Sequence, residues 1–288
     1  MPTHQEAFFL PVDDGRDGQR FCLFHPAHGA RPLGAIVYVH PFAEEMNKSR
    51  RMAALQSRAL AQAGYAVLQI DLLGCGDSSG DFGDATWQGW VDDVARGCHW
   101  LRARSDGPLW LWGLRAGCLL AAEASRQLPE SCNFIFWAPT PAGKTVWQQF
   151  MRLKVAGDLL SGNSKGILES LRQQLAAGQS IEIAGYPIAP ALAQGLEQSA
   201  LAAPAGTGMR RLEWLDMSTR EDAALSPVAQ KAIEQWMLAG FTVQNHWVNG
   251  PAFWQTAEIE DAPALLMATV HALAGQPATH QRPAAVTA

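Results

Sequence analysis

Apolar runs alternate with helix-patterned segments along the chain. Residues 35–39 are continuously apolar and residues 66–70 nearly so, a pattern typical of parallel strands that are covered on both faces. Between them, the apolar positions of residues 48–63 keep helical spacing, and Gly64 supplies a C-terminal stop. Thr86 can cap a second helix, whose apolar residues recur at intervals of three and four.

The same alternation continues to residue 274 and predicts the fold class. Parallel neighbours need crossover connections, which helices provide. The sequence therefore predicts an α/β fold with a mostly parallel central sheet and helices on both faces. At the amino end, the β-favouring segments Glu6–Val12 and 20–25 flank a turn-rich stretch and predict a hairpin. Further strands are predicted at 109–112, 134–137, 211–215 and 241–248, and further helices at 118–124, 226–239 and 262–274.

This alternation is interrupted in residues 140–208. The stretch contains helical patterns at 146–160 and 167–177, a short β-like piece at 181–184, and a segment rich in Ala, Gly and Pro at 187–208. An insertion at this point would lie above the carboxyl ends of the strands, where open α/β sheets bind ligands. We interpret it as a helical cap.

The chain length favours a single domain. A chain of 288 residues can bury one large core. We expect residues 1–139 and 209–274 to form the α/β core and residues 140–208 to form the cap. Residues 275–288 are rich in Pro, Ala and Thr and are expected to be disordered.

Charge and composition exclude several classes of partner and site. The net charge is −5 and the sequence has no long basic run, which argues against nucleic acid as a partner. The apolar runs are too short to cross a bilayer, and the first residues lack the features of a signal peptide, so we expect a cytoplasmic protein without a transmembrane segment. Five cysteines without C-x-x-C spacing indicate neither disulfides nor zinc, and we expect no metal and no cofactor.

One motif stands between a predicted strand and a predicted helix. Residues 113–117 read GLRAG, and they follow an apolar run and precede a segment of helix formers. In a G-x-S-x-G nucleophile elbow, the central residue is held on a strained turn with its hydroxyl above the sheet. Arg115 occupies that position here. Because a guanidinium does not lose its proton at physiological pH, it cannot attack a carbonyl group.

The order of elements and the elbow together resemble the α/β-hydrolase superfamily. Three segments resemble one branch of it, the exosortase A system-associated hydrolase 2 family: HPFAEEMNKSRRM at residues 40–52, DLLGCGDSSG at residues 71–80, and GLRAG at residues 113–117. This resemblance implies a bacterial protein with a functional link to the membrane exosortase system and to exopolysaccharide production. It implies no particular substrate.

The superfamily pattern carries over to several positions of this sequence. The resemblance places His40 and Phe42 in an oxyanion-type loop, with the backbone near Phe42 and the N–H of Ala116 as the two oxyanion donors. For the acid of the triad, Asp216 directly after strand 211–215 is the best positional match. Later candidates for the acid are Glu221 and Asp222.

No histidine occupies the position of the general base. Superfamily members keep it in the loop after the last strand, and here residues 249–255 contain none. His246 lies inside the predicted last strand and His271 inside the final helix, so a structural role is favoured for both. Without nucleophile and base, only about 10³–10⁴-fold acceleration over water is expected from such a site.

Arg115 has two interpretations that the sequence leaves open. A guanidinium at a helix N-terminus could hold a carboxylate or phosphate bidentately. Alternatively, Arg115 forms a salt bridge with Glu44 or Glu45, since a buried arginine needs an acidic partner. Either glutamate could also supply a catalytic carboxylate if burial raised its pKa toward neutrality.

Aromatic and thiol side chains complete the candidates. Trp254 and Trp87 are candidates for lining the cap pocket. Cys118, three positions after Arg115, is expected to be buried and inert, whereas Cys75 in the glycine-rich loop is expected to be the more accessible thiol.

Two function classes follow from these residues. In the first, the chain is an ester or acyl hydrolase with a non-standard site formed by Glu44, Glu45, Arg115 and Asp216. In the second, it is a non-catalytic descendant that binds an anionic ligand or a partner protein in the same pocket. In both, a small anionic or acyl molecule is the expected ligand.

Overall fold

The computed structural model describes residues 4–12, 18–159, 166–220 and 224–275. Eight of the described strands form one sheet in the order β1-β2-β4-β3-β5-β6-β9-β10, and two form a separate hairpin. The strands are β1 (Glu6–Val12), β2 (Gly18–His25), β3 (Gly34–Val39), β4 (Tyr65–Ile70), β5 (Leu109–Leu114), β6 (Asn133–Trp137), β7 (Ile181–Ile183), β8 (Tyr186–Ile188), β9 (Arg210–Ser218) and β10 (Phe241–Asn249).

Helices connect the parallel strands. The α-helices within the described residues are α1 (Glu44–Gln62), α2 (Trp87–Arg102), α3 (Ala116–Ala124), α4 (Gly143–Leu159), α5 (Ile167–Ala176), α6 (Pro190–Gln198), α7 (Pro227–Leu238) and α8 (Pro263–Leu273). Short 3₁₀ turns lie at Phe82–Asp84 and Ser125–Gln127. In the described part of the chain, no helix is long and apolar enough to cross a membrane.

The predicted fold class is confirmed. Strands β3, β4, β5, β6, β9 and β10 are parallel, and the β1–β2 hairpin adds two antiparallel strands at one edge. Every residue of β3 and β5 is buried, as expected for central strands with a hydrophobic layer on each face. One layer includes residues of α2, α3 and α7, and the other includes residues of α1 and α8.

Some element boundaries differ from the prediction. Helix α1 begins at Glu44 rather than at residue 48, with Glu44 and Glu45 in its first turn, where carboxylates interact favourably with the helix dipole. Strand β9 extends to Ser218 because β10 pairs with it as far as Asn249. The expectation that Asp216 directly follows the strand was therefore wrong, and Asp216 lies within β9.

The region between β6 and β9 contains one helix and one strand that the sequence pattern did not predict. Strand β8 pairs with β7 across a tight turn. Helix α6 begins with Pro190 at its first position, where a missing N–H costs nothing, and it buries Leu192, Ala193 and Leu196. Packing of α6 against α2 and α4 joins the region to the core. The division into core and cap stays a prediction. Residue 160, the predicted end of the first cap helix, and residues 276–288 of the predicted tail lie outside the described residues.

Candidate functional site

The elbow is formed by the turn from β5 into α3. Arg115 has φ 54° and ψ −118°, a conformation that is strained for any residue with a side chain. Its N–H donates to the carbonyl of Trp137 (3.0 Å), and its own carbonyl accepts from the N–H of Cys118 (3.1 Å). A Cβ on Gly117 would overlap the carbonyl oxygen of Val39, so the turn packs directly against the end of β3.

The guanidinium of Arg115 has three hydrogen-bond partners from three different elements. Nη1 donates to Oγ1 of Thr140 (2.9 Å), and Nη2 donates to Oε1 of Gln149 on α4 (2.8 Å). Nε faces Oε1 of Glu45 at 3.4 Å, a long ion pair in which both side chains are about one-eighth exposed (12% and 13%). The ring centroid of Trp254 lies 5.7 Å from Cζ, within cation–π distance.

Burial controls the charge of Glu45. Loss of hydration raises the pKa of Glu45 to about 7, and the charge of Glu44 adds to the increase, whereas Arg115 and Gln255 oppose it. The second oxygen of Glu45, Oε2, is buried and has no hydrogen-bond partner among the described residues. The carboxylate next to Arg115 is therefore partly protonated at neutral pH, and Arg115 is incompletely neutralised.

Glu44 does not share this arrangement. Burial also raises the pKa of Glu44, and its Oε2 is buried without a hydrogen-bond partner in the described part of the chain. Among the described residues, the only ion pair of Arg115 is with Glu45. The structure thus brings together Arg115 and Glu45, but not Arg115 and Glu44.

Strained backbone with positive φ is concentrated just after the carboxyl ends of the parallel strands. Ala43 follows the loop after β3 with φ 50°, Arg115 follows β5, and Ala138 follows β6 with φ 42°. The N–H groups of Phe42 and Ala116 border these strand ends, and neither donates to a backbone carbonyl in the described residues. In the α/β-hydrolase fold, the N–H that follows the elbow apex and an N–H from a loop after a central strand are the positions from which oxyanion donors come.

The buried side chain of His40 supports the loop that follows β3. Its ring is buried, with Nδ1 2.8 Å from the carbonyl oxygen of Pro41 and Nε2 accepting from the N–H of Leu72 (3.4 Å). Burial lowers the pKa of His40, so its ring is neutral at physiological pH. Phe42 is also buried, and its ring contacts the rings of Phe82, Trp90 and Phe150 edge to face. The side chains of His40 and Phe42 are therefore packed in the interior, where they hold the loop in position.

The three sequence segments that carry the family resemblance are in direct contact. Arg50 in the first segment forms an ion pair with Asp71 in the second (2.9 Å). His40 in the first segment accepts from the N–H of Leu72 in the second. The first segment reaches the elbow through the Glu45–Arg115 pair. These motifs therefore form one structural unit around Arg115.

The structure shows Asp216 and His246 in separate networks. Asp216 accepts from Nε1 of Trp214 (2.8 Å), and burial raises its pKa. His246 is buried with Nε2 2.7 Å from Glu213, which also accepts from Arg211 (2.6 Å). His246 is thus held in a hydrogen-bond network between β9 and β10, and no acid–base pair with Asp216 exists in the described residues.

The remaining predicted residues have varied outcomes. Glu221 and Asp222 lie outside the described residues. Trp254 borders Arg115, with a buried Nε1 that has no partner among the described residues. Trp87 packs against α6 at Gly195, donates from Nε1 to Glu123 (2.8 Å), and stays a candidate for lining the cap pocket. Residue 271 is a partly buried histidine near the end of α8.

The cysteine predictions were right for one thiol and wrong for the other. Cys118 is fully buried, and burial raises its pKa far above the ordinary value. Cys75, expected to be accessible, is only 4% exposed, and burial also raises its pKa. The Cys75 side chain belongs to the buried hydrophobic cluster, so neither thiol is a reactive nucleophile. In the described part of the chain, no group of three His, Cys, Asp or Glu residues could hold a metal ion.

Three site residues were not predicted from the sequence. Thr140, Gln149 and Gln255 all interact with Arg115 or Glu45. For Thr140 a signal existed, because it closely follows the end of β6, the strand next to β5. Gln149 and Gln255 reach the site only through the positions of α4 and the loop after β10, which periodicity does not reveal.

Comparison with known proteins supports this description of the fold. A family profile described as serine aminopeptidase, S33 matches residues 30–175, just over half of the chain. Human protein ABHD12B is 35% identical over 125 residues, which are 42% of this chain. The match spans only 33% of the length of that curated relative.

Solved structures resemble the whole fold. A carboxyl esterase from Bacillus coagulans in complex with glycerol has a TM-score of 0.61 at 13% identity, covering 94% of this chain and 98% of that one. A soluble variant of monoglyceride lipase from Saccharomyces cerevisiae has a TM-score of 0.58 at 13% identity, covering 95% and 96%. At such low identity these structures show the fold alone. With the family profile, they lead to one assignment: the chain belongs to the serine aminopeptidase S33 family of α/β hydrolases.

Proposed function

We propose that the chain binds an anionic ligand at the elbow and does not hydrolyse esters by a serine mechanism. The observation that carries this proposal is Arg115, a permanent cation at the strained apex of an otherwise intact elbow. The conformation that would present a nucleophile presents a guanidinium instead. The usual base is also missing, since residues 249–255 contain no histidine.

The surroundings of Arg115 favour an anion. Thr140 and Gln149 are neutral acceptors, and the only carboxylate in contact is 3.4 Å away with a pKa of about 7. The positive charge is therefore only partly compensated. The free N–H of Ala116 at the start of α3 adds a donor where the helix dipole favours negative charge.

Gln149 is the hydrogen-bond partner of Arg115 that an anionic ligand can displace. Its side chain lies on the exposed part of α4, so a carboxylate can replace its oxygen at Nη2 of Arg115 without opening the core. An oxyanion gains a charge-assisted hydrogen bond where a neutral amide made an ordinary one. A small acyl carboxylate is the ligand class that this replacement accommodates and that the sequence predicts.

We extend the proposal to the cellular context. The three segments that resemble the exosortase A system-associated hydrolase 2 family form one unit around Arg115, which supports a role for that unit in the same system. That role connects the chain to exopolysaccharide production. The five cysteines are free thiols and all are buried, which fits the reducing cytoplasm as the proposed location.

A first prediction concerns turnover. Purified protein is expected to resist labelling by a fluorophosphonate probe and to cleave p-nitrophenyl butyrate no faster than buffer. Arg115→Ser is expected to remain inactive, because residues 249–255 provide no histidine to activate the new hydroxyl. A serine hydrolase of the same fold is the positive control. Probe labelling of the wild type, or ester cleavage that Arg115→Ala abolishes, would overturn the proposal.

A second prediction concerns binding. Butyrate, which combines a carboxylate with a short acyl chain, is expected to bind the wild type and to bind Arg115→Gln about 10–100-fold more weakly, the loss expected for a charge-assisted pair. Isothermal titration calorimetry measures both dissociation constants. Arg51→Gln is the matched control, because Arg51 is an exposed arginine on α1 paired with Asp261. Equal affinities in all three proteins would contradict the role of Arg115.

One observation favours a second candidate function, which is hydrolysis through Glu45. A carboxylate with a pKa near 7 and an unpartnered oxygen can accept a proton from water. As the water attacks an acyl carbonyl, Glu45 would take its proton and then return it to the alkoxide that leaves when the C–O bond breaks, while Arg115 and the N–H of Ala116 stabilise the tetrahedral oxyanion. Slow ester cleavage that Glu45→Gln removes, without labelling by fluorophosphonate, would favour this candidate over binding alone.

A further inference from the structure

A second arginine, Arg210, lies at the amino ends of the parallel strands, opposite the carboxyl ends where Arg115 lies. Arg210 is the first residue of β9, whereas Arg115 follows the carboxyl end of β5. The strand register places Leu215, five residues after Arg210, level with Leu114 through Trp137. At about 3.3 Å per residue, roughly 17 Å of strand separates the two levels. The surroundings of Arg210 are therefore independent of the elbow.

A cavity of about 280 Å³ adjoins Arg210. Residues 125–132, which lead from α3 into β6, form one wall, and residues 204–207 before β9 form the other. A single water needs only about 15 Å³ of such volume. The cavity therefore has room for several waters or for an oxyanion with a small organic substituent.

The charge of Arg210 has no acidic partner among the described residues. The side chain is 3% exposed, Nη1 donates to the carbonyl of Pro204 (2.9 Å), and Nη2 donates to the carbonyl of Ala239. Its Cζ lies 4.2 Å from the ring centroid of Phe241, and Nε is buried without a hydrogen-bond partner in the described part of the chain. Burying a cation costs free energy when only carbonyl groups and an aromatic ring interact with it. An anion bound in the cavity would lower that cost.

The other ionisable groups of the cavity leave it positive. Arg126 contributes a second guanidinium to the lining. Glu130 also lines the cavity, but its carboxylate accepts from Arg102 at 2.6 Å and is neutralised by that pair. Burial raises the pKa of Cys132 to about 12, so this thiol carries no charge at physiological pH.

Gly206 keeps space open beside Arg210. A Cβ at this position would lie 3.0 Å from Nη1 of Arg210 and 3.3 Å from Oγ of Ser131. The absent side chain thus leaves a recess next to a guanidinium nitrogen and a hydroxyl. Nη1 of Arg210 can donate a hydrogen bond to an oxygen in this recess, and the hydroxyl of Ser131, which donates to the carbonyl of Thr207 (3.2 Å), can rotate to donate to the same oxygen.

From this arrangement we infer that the cavity binds a small oxyanion, a phosphate or carboxylate group, through Arg210 and Ser131. The site lies at the amino ends of β6 and β9, away from the elbow, and does not depend on the function proposed for Arg115. The expected ligand is an anionic metabolite small enough for a cavity of about 280 Å³.

The test uses inorganic phosphate and thermal unfolding in the Arg115→Ala background, where the elbow cannot contribute. Phosphate at 20 mM is expected to raise Tm by about 3 °C relative to chloride at equal ionic strength, as for a millimolar ligand of a domain of this size. Acetate under the same conditions tests a carboxylate. Absence of any phosphate-specific or acetate-specific shift would overturn the inference.

Variants of Ser131 assign the effect to the cavity without removing the buried arginine. Ser131→Asp places a carboxylate near Arg210 and is expected to abolish the phosphate shift, while the isosteric Ser131→Asn is expected to retain at least half of it. A phosphate shift that Ser131→Asp leaves intact would overturn the site. Equal loss in both variants would show that the added volume blocks the anion and would also place it in the cavity.

Discussion

Replacing Gly117 with alanine is expected to destabilise the fold by about 3 kcal/mol or more, at the upper end of the overpacking range. The new Cβ would overlap the carbonyl oxygen of Val39 and lie 2.7 Å from that of His40. Both atoms belong to the backbone at the end of β3, so no side chain can rotate to make room. Relief requires α3 to move away from β3, which also displaces Arg115.

Gly97→Ala is the matched control for this prediction. Gly97 lies within α2, and its added Cβ would meet Ile70 and Leu68 at 3.5 Å, an ordinary van der Waals contact. Alanine is favoured over glycine in a helix interior by about 1 kcal/mol, so this variant is expected to be neutral or slightly more stable. Urea unfolding followed by tryptophan fluorescence measures both free energies. Equal stabilities of the two variants would contradict the close packing of the elbow.

The packing of Gly117 also explains how the turn between β5 and α3 keeps its shape with an arginine at its apex. Helix α3 packs so closely on β3 that the turn between β5 and α3 is constrained by backbone contacts alone. The strained φ of Arg115 is thus imposed by the packing of the sheet and helix. No feature of this geometry requires a serine at the apex.

The sequence predicted the core of the fold for identifiable physical reasons. Strands such as β3 and β5 are buried on both faces, so they appear as uninterrupted apolar runs. The GLRAG motif identified the elbow because the glycines on both sides of Arg115 have no room for a Cβ. These features are local in sequence, and local patterns are what sequence analysis reads.

The site was harder to predict because it is assembled from distant segments. Glu44 and Glu45 are neighbours in the first turn of α1, and about 100° of helical rotation separates their side chains, so only the position of α1 determines which one meets Arg115. Gln149 comes from α4, whose placement depends on packing against α6. Cys75 was misjudged because burial of the glycine-rich loop depends on contacts from other segments, such as the pair of Arg50 with Asp71.

The second large effect concerns pH. Stability of the wild type relative to Glu45→Gln is expected to fall as pH rises from about 4.5 to about 7 and then to stay constant. The folded state holds the Glu45 proton more tightly, since burial raises its pKa from the ordinary 4.5 to about 7. Unfolding therefore releases a proton in this interval, and a higher pH favours the unfolded state. The accumulated difference is roughly 3 kcal/mol, from 1.36 kcal/mol per pKa unit.

Comparing the two proteins at each pH isolates this contribution from other groups. Burial also raises the pKa of Asp93 and Asp216 and lowers that of His25, and these effects are common to both proteins. Glu197→Gln, a change at an exposed position of α6, is the control and is expected to follow the wild type. Urea unfolding at intervals from pH 4 to pH 9 gives the free energies.

The direction of the pH effect also distinguishes a fully ionised Glu45 from a partly protonated Glu45 at neutral pH. If Glu45 were a fully ionised partner of Arg115, its pKa would be depressed, and Glu45→Gln would become less stable than the wild type as pH rises from that depressed value to 4.5, with a constant difference at higher pH. A partly protonated Glu45 gives the opposite sign. The expected sign means that Arg115 keeps uncompensated charge at neutral pH, which is the condition for binding an external anion at this site.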